Sequence, residues 1–166
     1  MSYDDLPYRP GVGAMVVNAE GRVFVGRRID NKELDAWQMP QGGVDMGEDP
    51  ETALYRELEE ETGIAREHLE LVACCKAPYD YDIPHAVAKT LWGGKYRGQR
   101  QHWYLLRFTG RDADVDIEQP HPEFNAWRWS AMEELPELIV PFKRPLYEAL
   151  VAEFGPLAVA STSASR

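Results

Sequence analysis

Three glutamates, Glu57, Glu60 and Glu61, share one face of a helix that the sequence predicts over residues 50–62. At 100° per residue they fall within about a third of the helix circumference, and like charges three or four positions apart repel one another. They also crowd the last turns before Gly63, where the helix dipole favours positive side chains. Because this arrangement is poor for stability alone, we expect a bound cation. Hard divalent ions such as Mg²⁺ prefer such oxygen ligands.

The three glutamates also belong to a longer pattern of fixed spacing. An isolated acidic helix face is more often simply exposed to solvent than bound to a cation. The neighbouring residues decide which of these two interpretations applies here. The full pattern is G-x5-E-x7-R-E-U-x-E-E-x-G-U, where U is a bulky aliphatic residue. Six neighbours complete it: Gly42, Glu48, Arg56, Leu58, Gly63 and Ile64. The sequence matches every fixed position, which makes the pattern far more specific than a lone glycine motif.

This pattern resembles the complete Nudix box of the Nudix hydrolases. The resemblance implies an α/β/α sandwich, with a mixed β-sheet between helices, and metal-assisted hydrolysis of a nucleoside diphosphate linked to another group. Pyrophosphate repels a nucleophile, so bound metal must neutralise its oxygens and activate water. The implied metal is Mg²⁺, for which Mn²⁺ or another divalent ion could substitute. Its implied ligands in the box are Gly42, through its carbonyl, and Glu57, Glu60 and Glu61.

The resemblance also implies which residues of the box are catalytic. Glu48 would buttress the loop or reach a metal through water, and Arg56 would orient one carboxylate by an ion pair. Glu57 and Glu60 both remain candidates for the general base.

Segments outside the box narrow the resemblance to one bacterial branch of the family, the RNA pyrophosphohydrolases and dinucleoside polyphosphate hydrolases. These segments include Trp37–Gly43, Gly98–Tyr104 and Phe142–Arg144, and the resemblance runs from about Tyr8 to Phe154. The residues that it implies for substrate binding are Arg9, Arg28, Gln41, Val140, Phe142 and Lys143, and the additional metal ligand that it implies is Glu123. Ordinary alternatives stay open: surface charge for the arginines, core packing for Phe142 and a solvated side chain for Glu123.

The leading functional hypothesis is a hydrolase that removes pyrophosphate from the 5′-triphosphate end of RNA, cleaves dinucleoside polyphosphates, or does both. RNA is favoured because residues 83–111 contain basic side chains and no carboxylate, and because Arg9 suggests contact beyond the first nucleotide. One alternative is a pyrophosphatase of free nucleotides or nucleotide sugars. Another is a non-catalytic Nudix-like module that binds a nucleotide, although such modules typically lose box carboxylates and none is missing here.

The elements that must position these residues are strands interleaved with two helices. Patterning predicts strands over 12–18, 22–27, 69–77, 101–109 and 124–130, a loop over 37–47, a long functional loop over 78–98, and helices over 50–62 and 142–154. This order favours the α/β class with a mixed sheet. We expect a single domain over residues 1–157 and a disordered tail over residues 158–166.

Composition and charge exclude several classes of protein. The chain has 166 residues and 44% hydrophobic content, no apolar run long enough for a membrane span, and an N-terminus unlike a secretory signal. Cys74 and Cys75 are adjacent and cannot form a structural disulfide, so we expect a cytoplasmic protein without a membrane partner. The net charge of -10 argues against tight binding to long nucleic acid, DNA included. Much of that charge lies in residues 45–70, around the predicted cation site.

Overall fold

A mixed eight-stranded sheet lies between helices in the part of the chain that the computed structural model describes, residues 3–29 and 35–164. The strands are β1 (Tyr8–Val17), β2 (Val23–Arg28), β3 (Trp37–Gln38), β4 (Gln41–Gly43), β5 (Leu69–Cys74), β6 (Tyr79–Asp82), β7 (Gly98–Phe108) and β8 (Phe124–Ser130). The helices are α1 (Pro50–Thr62), α2 (His85–Ala88), α3 (Leu135–Leu138) and α4 (Arg144–Ala164). Short 3-10 turns lie at Tyr3–Asp5, Arg66–His68, Leu91–Gly94, Asp112–Asp114, Met132–Glu134 and Pro141–Lys143.

The centre of the sheet is a parallel pair, β1 and β7. Tyr8 lies opposite Gly98 and Val17 lies opposite Arg107. The strand order is β3-β2-β1-β7-β5, and in addition β4 pairs with β1, β6 with β7 and β8 with β2. Every pairing except that of β1 with β7 is antiparallel. Because β1 and β7 run in the same direction, both begin at the same edge of the sheet. That edge carries much of the site.

The two faces of the sheet pack against different helices. On β1, Val12, Ala14 and Val16 belong to the core beneath α1, whereas Met15 and Val17 belong to the core beneath α4. This alternation is the period of two expected of a strand that is buried on both faces. The predicted α/β/α sandwich with a mixed sheet is therefore confirmed.

Helix α1 has the ends that the sequence predicts. The Asp49 carboxylate caps it by accepting from the backbone N–H groups of Glu51 and Thr52, at 3.1 Å and 3.3 Å. Pro50 occupies the first turn, where no backbone donor is needed. Gly63 ends the helix with φ of 71°, a left-handed conformation that suits glycine. The helix therefore spans the predicted residues 50–62.

Two predicted loops contain regular structure. Residues 78–98 form β6, α2 and a 3-10 turn, because the alternating segment Tyr79–Asp82 pairs with β7. Residues 37–47 contain the short strands β3 and β4, which lie on either side of Pro40, and β4 includes Gly42 and Gly43.

The last helix departs from the prediction at both ends. It begins at Arg144 instead of 142 and continues through Pro156 to Ala164, well past the predicted end at 154. Ala158 of this helix is buried in the core, so apolar packing extends into the segment that was expected to be a disordered tail. Residues 165 and 166 lie outside the described part of the chain. Across the described residues, no helix combines the length and apolarity needed to cross a membrane.

Candidate active site

Arg56 ties the loop before α1 to the helix. Its Nε and Nη2 atoms each donate to the Glu48 carboxylate at 2.8 Å, and Nη2 also donates to the Gly43 carbonyl at 2.9 Å. The same carboxylate accepts from the Asp45 N–H at 3.0 Å. These bonds stabilise the ionised form of Glu48 and lower its pKa to about 2.

The same guanidinium reaches two glutamates of the acidic face. Its Nη1 atom donates to Glu57 at 2.9 Å and to Glu60 at 3.3 Å. Gly42 lies against the Glu57 carboxyl group, and a Cβ atom at Gly42 would stand only 2.0 Å from its Cδ. The loop can approach the glutamate this closely because that position has no side chain.

Glu57 and Glu61 are carboxylates in a region poor in water. Burial raises the pKa of Glu57 to about 6, against the opposing bond from Arg56. Burial also raises the pKa of Glu61 well above its usual range, and the nearby charges of Glu57 and Glu123 add to this effect. Glu61 is 4% exposed, and its Oε2 is the one buried side-chain polar atom in the described residues without a hydrogen-bond partner. A buried carboxylate oxygen without a partner is costly, and a bound cation would satisfy it.

These carboxylate oxygens therefore suit a divalent metal, although the glutamate side chains do not point toward one common position. Within residues 3–29 and 35–164, no three acidic, histidine or cysteine side chains are already grouped closely enough to hold an ion. In this arrangement Arg56 holds Glu57 and Glu60 instead. If Glu57 and Glu60 held a metal together with Glu61, their contacts with Arg56 would change.

Glu123 lies across a pocket from the acidic helix. The pocket has a volume of about 240 Å³ and is lined by Glu60, Glu61, Gln119, Pro120, His121 and Glu123. Glu123 is exposed, and its carbonyl accepts from the Ile29 N–H at 3.0 Å, which ties its loop to the end of β2 beside Arg28. The structure thus places this carboxylate on the same side as the predicted metal ligands.

A buried lysine and an arginine face the acidic residues. Lys143 is 6% exposed, and burial together with the charge of Arg28 lowers its pKa to about 7, with Glu61 opposing the shift. Its Nζ atom lies 4.8 Å from the centre of the Tyr81 ring and 5.9 Å from that of Phe142. Phe142 is 42% exposed, which leaves its ring accessible to a ligand. Val140 is partly buried against the core beneath α4.

Arg9 and Gln41 lie where β1 and β4 meet the box. A Cβ atom at Gly43 would stand 2.3 Å from Arg9 Nη2, so the guanidinium touches the loop backbone. The Gln41 side-chain oxygen accepts from Gln101 Nε2 at 3.2 Å. All the predicted substrate-binding residues therefore lie in one region, near the start of the central strands or the 3-10 turn before α4.

Sequence reasoning missed a buried polar network beneath this region. Gln101 donates to Gln99 at 2.7 Å and accepts from the indole of Trp103 at 2.8 Å. The Tyr81 hydroxyl contacts Gln99 at 3.4 Å. The available signal was the presence of glutamines at alternate positions of β7, on the face that also carries Trp103 and Leu105. This pattern indicates buried polar side chains beneath the site but does not indicate what the site binds.

Two of the six lysines and arginines in residues 83–111 make ion pairs with carboxylates outside that segment. Arg97 makes a bidentate ion pair with Asp82, at 3.1 Å and 3.0 Å, and Arg100 makes one with Asp80, at 2.8 Å and 2.9 Å. Both carboxylates belong to β6, just before the basic segment, and the pairing of β6 with β7 brings them together. The charges of these two arginines are therefore neutralised locally, and the positive charge of the segment rests on Lys89, Lys95, Arg107 and Arg111.

Comparison with known proteins decides the family. A model of the NUDIX domain matches residues 7–150. The chain belongs to the Nudix family. Its similar relatives include proteins named RNA pyrophosphohydrolase from three bacteria. That of Sphingopyxis alaskensis is 55% identical over 95% of this chain and 99% of its own. That of Rhodospirillum rubrum is 55% identical over 96% and 94%, and that of Rickettsia typhi is 50% identical over 93% and 94%.

Solved structures show the same Nudix fold at low sequence identity. A binary complex of the Ap4A hydrolase from C. elegans aligns with a TM-score of 0.62 and 18% identity, over 88% of this chain and 98% of that one. The dihydroneopterin triphosphate pyrophosphohydrolase of E. coli aligns with a TM-score of 0.66 and 22% identity, over 89% and 99%. The family match and the relatives confirm the predicted enzyme class, a Nudix hydrolase that acts on phosphoanhydride bonds.

Proposed function

We propose that this Nudix hydrolase removes pyrophosphate from the 5′-triphosphate end of RNA. The observation that carries the proposal is its 50% to 55% identity, over nearly its whole length, with proteins named RNA pyrophosphohydrolase. The site supports the proposal because the buried carboxyl group of Glu61 lies near the charges of buried Lys143 and partly buried Arg28. A phosphate chain held between metal and such cations suits this arrangement.

The metal is proposed to be Mg²⁺, with Mn²⁺ or another divalent ion as a substitute. Nudix hydrolases generally use divalent metals, and the unpartnered Oε2 of Glu61 supports such a site in this chain. Its proposed ligands are the Gly42 carbonyl, Glu57, Glu60, Glu61 and Glu123. When bound, the metal would neutralise phosphate oxygens and lower the pKa of water.

Glu57 and Glu60 are the two proposed candidates for the general base, which would accept the proton of the attacking water. Glu57 is the more buried of the two, and burial raises its pKa to about 6 in the metal-free protein. Arg56 keeps the glutamates oriented, and Glu48 in turn fixes Arg56 through two charged hydrogen bonds.

The cationic side of the site would hold the 5′ phosphates and the first bases. Arg28 and Lys143 supply positive charge, which the low-dielectric surroundings strengthen. Arg9 and Gln41 extend the site along β1 and β4, and the exposed ring of Phe142, next to Val140, offers a surface on which a base can stack.

The test is turnover of four substrates with Mg²⁺: 5′-triphosphorylated RNA, diadenosine tetraphosphate, free nucleoside triphosphates and ADP-ribose. The proposal expects triphosphorylated RNA to give the highest kcat/KM, with pyrophosphate as product. Faster cleavage of diadenosine tetraphosphate would make dinucleoside polyphosphates the main substrate. Preference for free triphosphates or ADP-ribose would contradict the proposal, and absence of activity on all four would favour a non-catalytic module.

We also propose a cytoplasmic location, without a membrane or DNA partner. Cys74 and Cys75 are both free thiols, as is usual in a reducing compartment. The acidic net charge disfavours retention on long nucleic acid, whereas an enzyme that meets only an RNA end does not require a basic surface.

A further inference from the structure

Trp92 has a backbone conformation that tryptophan rarely adopts. Its φ of 53° and ψ of 33° lie in the left-handed region, and it is the only non-glycine residue with positive φ in the described part of the chain. Gly93 and Gly94, which follow it, have φ of 70° and 72°. A bulky residue persists in this region only where surrounding contacts fix it, and such strain tends to occur at functional sites.

The side-chain contacts of Trp92 connect it to Arg9. The guanidinium carbon of Arg9 lies 5.2 Å from the centre of the indole, within the range of a cation–π interaction. Tyr96 meets the indole edge-on, with ring centres 6.1 Å apart, and Trp92 also packs against the core beneath α4. The ring is therefore held in place independently of Arg9.

Arg9 also touches the loop that carries the box. Its Nη1 and Nη2 atoms would lie 2.4 Å and 2.3 Å from a Cβ atom at Gly43. The Gly43 carbonyl accepts from Arg56, whose guanidinium reaches the acidic helix. Contacts with the indole and with the loop backbone thus restrict the Arg9 guanidinium beside the site.

On the other face of β1, the residue before Arg9 is fixed as well. Arg97 and Arg100 lie 5.1 Å and 5.2 Å from the Tyr8 ring, and each is held by a carboxylate of β6. The start of β1 is therefore anchored before any ligand binds. At the next position, contacts with Trp92 and with the Gly43 backbone restrict the orientation of the Arg9 side chain.

We propose that Trp92 is a positioning residue that holds Arg9 for the phosphate or base of the substrate. This inference rests on the proposed function, in which Arg9 binds the nucleotide. An arginine ordered in advance loses less side-chain entropy when the substrate arrives, and the cation–π contact leaves its charge intact. Trp92 then contributes to substrate affinity through Arg9 and leaves the chemical step at Glu57 unchanged.

The test is a double-mutant cycle on triphosphorylated RNA with the full chain. Trp92→Gly removes the indole, while glycine suits the local φ. We expect it to raise KM about fivefold to tenfold, the size of a cation–π contact, with kcat within about twofold of wild type. Trp92→Phe keeps an aromatic face and should restore most of the affinity. In an Arg9→Ala background, Trp92→Gly should have little further effect, because its partner is gone.

A neighbouring variant separates this role from simple stabilisation of the segment. Leu91→Ala changes an exposed apolar residue of the same turn and should leave KM unchanged. Circular dichroism and thermal melting establish that each variant is folded, and Trp92→Asn, which tolerates the left-handed region, replaces the glycine variant if that one unfolds. The inference is overturned if Trp92→Gly keeps the wild-type KM, lowers kcat instead, or has the same effect with and without Arg9.

The cycle also distinguishes failure of the inference from failure of the proposed function. A wild-type protein that hydrolyses triphosphorylated RNA, combined with uncoupled effects at the two positions, overturns the role of Trp92 alone. A wild-type protein that leaves this RNA intact overturns the proposed function and the inference together.

Discussion

Arg56 and Glu48 are joined by two hydrogen bonds of 2.8 Å, one from Nε and one from Nη2. This bidentate pair connects the loop before α1 to the middle of the helix. The remaining donors of Arg56 reach Gly43, Glu57 and Glu60, so one side chain fixes both the loop and the carboxylates.

Replacing Arg56 with lysine should disrupt this arrangement. An ammonium group keeps the charge but lacks the planar fork that reaches several acceptors at once. We expect Arg56→Lys to lower kcat/KM by about tenfold to 100-fold, the usual effect of losing a partner that orients metal ligands. Steady-state kinetics on triphosphorylated RNA measure this. Arg66→Lys, at a site where the arginine instead lies over the Tyr55 ring, is the matched control and should retain near-normal activity.

A methyl group at Gly42 should displace Glu57. The added Cβ would stand 2.0 Å from Glu57 Cδ, too close for any real contact, so either the loop or the glutamate must move. We expect Gly42→Ala to reduce kcat severely and to weaken metal affinity, measured by calorimetry with Mn²⁺. Gly155→Ala is the control: its Cβ meets nothing within 4 Å, and it should stabilise α4 by about 0.5–1 kcal/mol. Equal activity of the two variants would contradict the proposed packing.

Stability of the metal-free protein should fall as pH rises through about 6. The pKa of Glu57 is raised from 4.5 to about 6, so the folded state keeps a proton that the unfolded chain has lost. This contribution, about 1–2 kcal/mol, is fully present below pH 4.5 and is lost once pH exceeds about 6. Urea unfolding with EDTA at several pH values, for wild type and Glu57→Gln, measures it. The two curves should differ in this window, and parallel curves would argue against a protonated Glu57.

Lys143 should lower the stability of the folded protein and contribute to substrate binding. Burial lowers its pKa from 10.5 to about 7, so below pH 7 the folded protein carries a buried ammonium. Lys143→Met should therefore raise the free energy of unfolding by about 2 kcal/mol below pH 7, and the difference should shrink as pH rises toward 10.5. The same variant should raise KM for triphosphorylated RNA. Thermal melting at pH 6 and pH 9 checks the first result, and a less stable variant at pH 6 would contradict it.

Local signals were enough to predict helix α1 and the strand β8. Asp49 and Gly63 determine the ends of α1 through hydrogen bonds within a few residues, and the strand Phe124–Ser130 follows from its own alternation. The box residues are likewise a local pattern. Features that depend on short-range chemistry could therefore be predicted from the sequence.

Features that depend on distant partners could not be predicted in this way. The ion pairs of Arg97 and Arg100 form because β6 pairs with β7. Helix α4 extends beyond its predicted end because Ala158 packs into the core. The positions of Tyr81 and Gln99 beneath the site follow from the same pairing. Tertiary contacts determine these features, and the sequence of one segment does not show which distant residues it will contact.

The central claim is that the acidic face of α1 hydrolyses the 5′-triphosphate end of RNA. The most direct measurement is release of pyrophosphate from 5′-triphosphorylated RNA with Mg²⁺, compared among wild type, Glu57→Gln and Glu59→Gln. Glu59 is an exposed carboxylate on the same helix and serves as the matched control. We predict that wild type and Glu59→Gln release pyrophosphate at similar rates and that EDTA abolishes both. Glu57→Gln should be folded and slower by at least about 100-fold. Near-normal release by Glu57→Gln, or release unaffected by EDTA, would contradict the account.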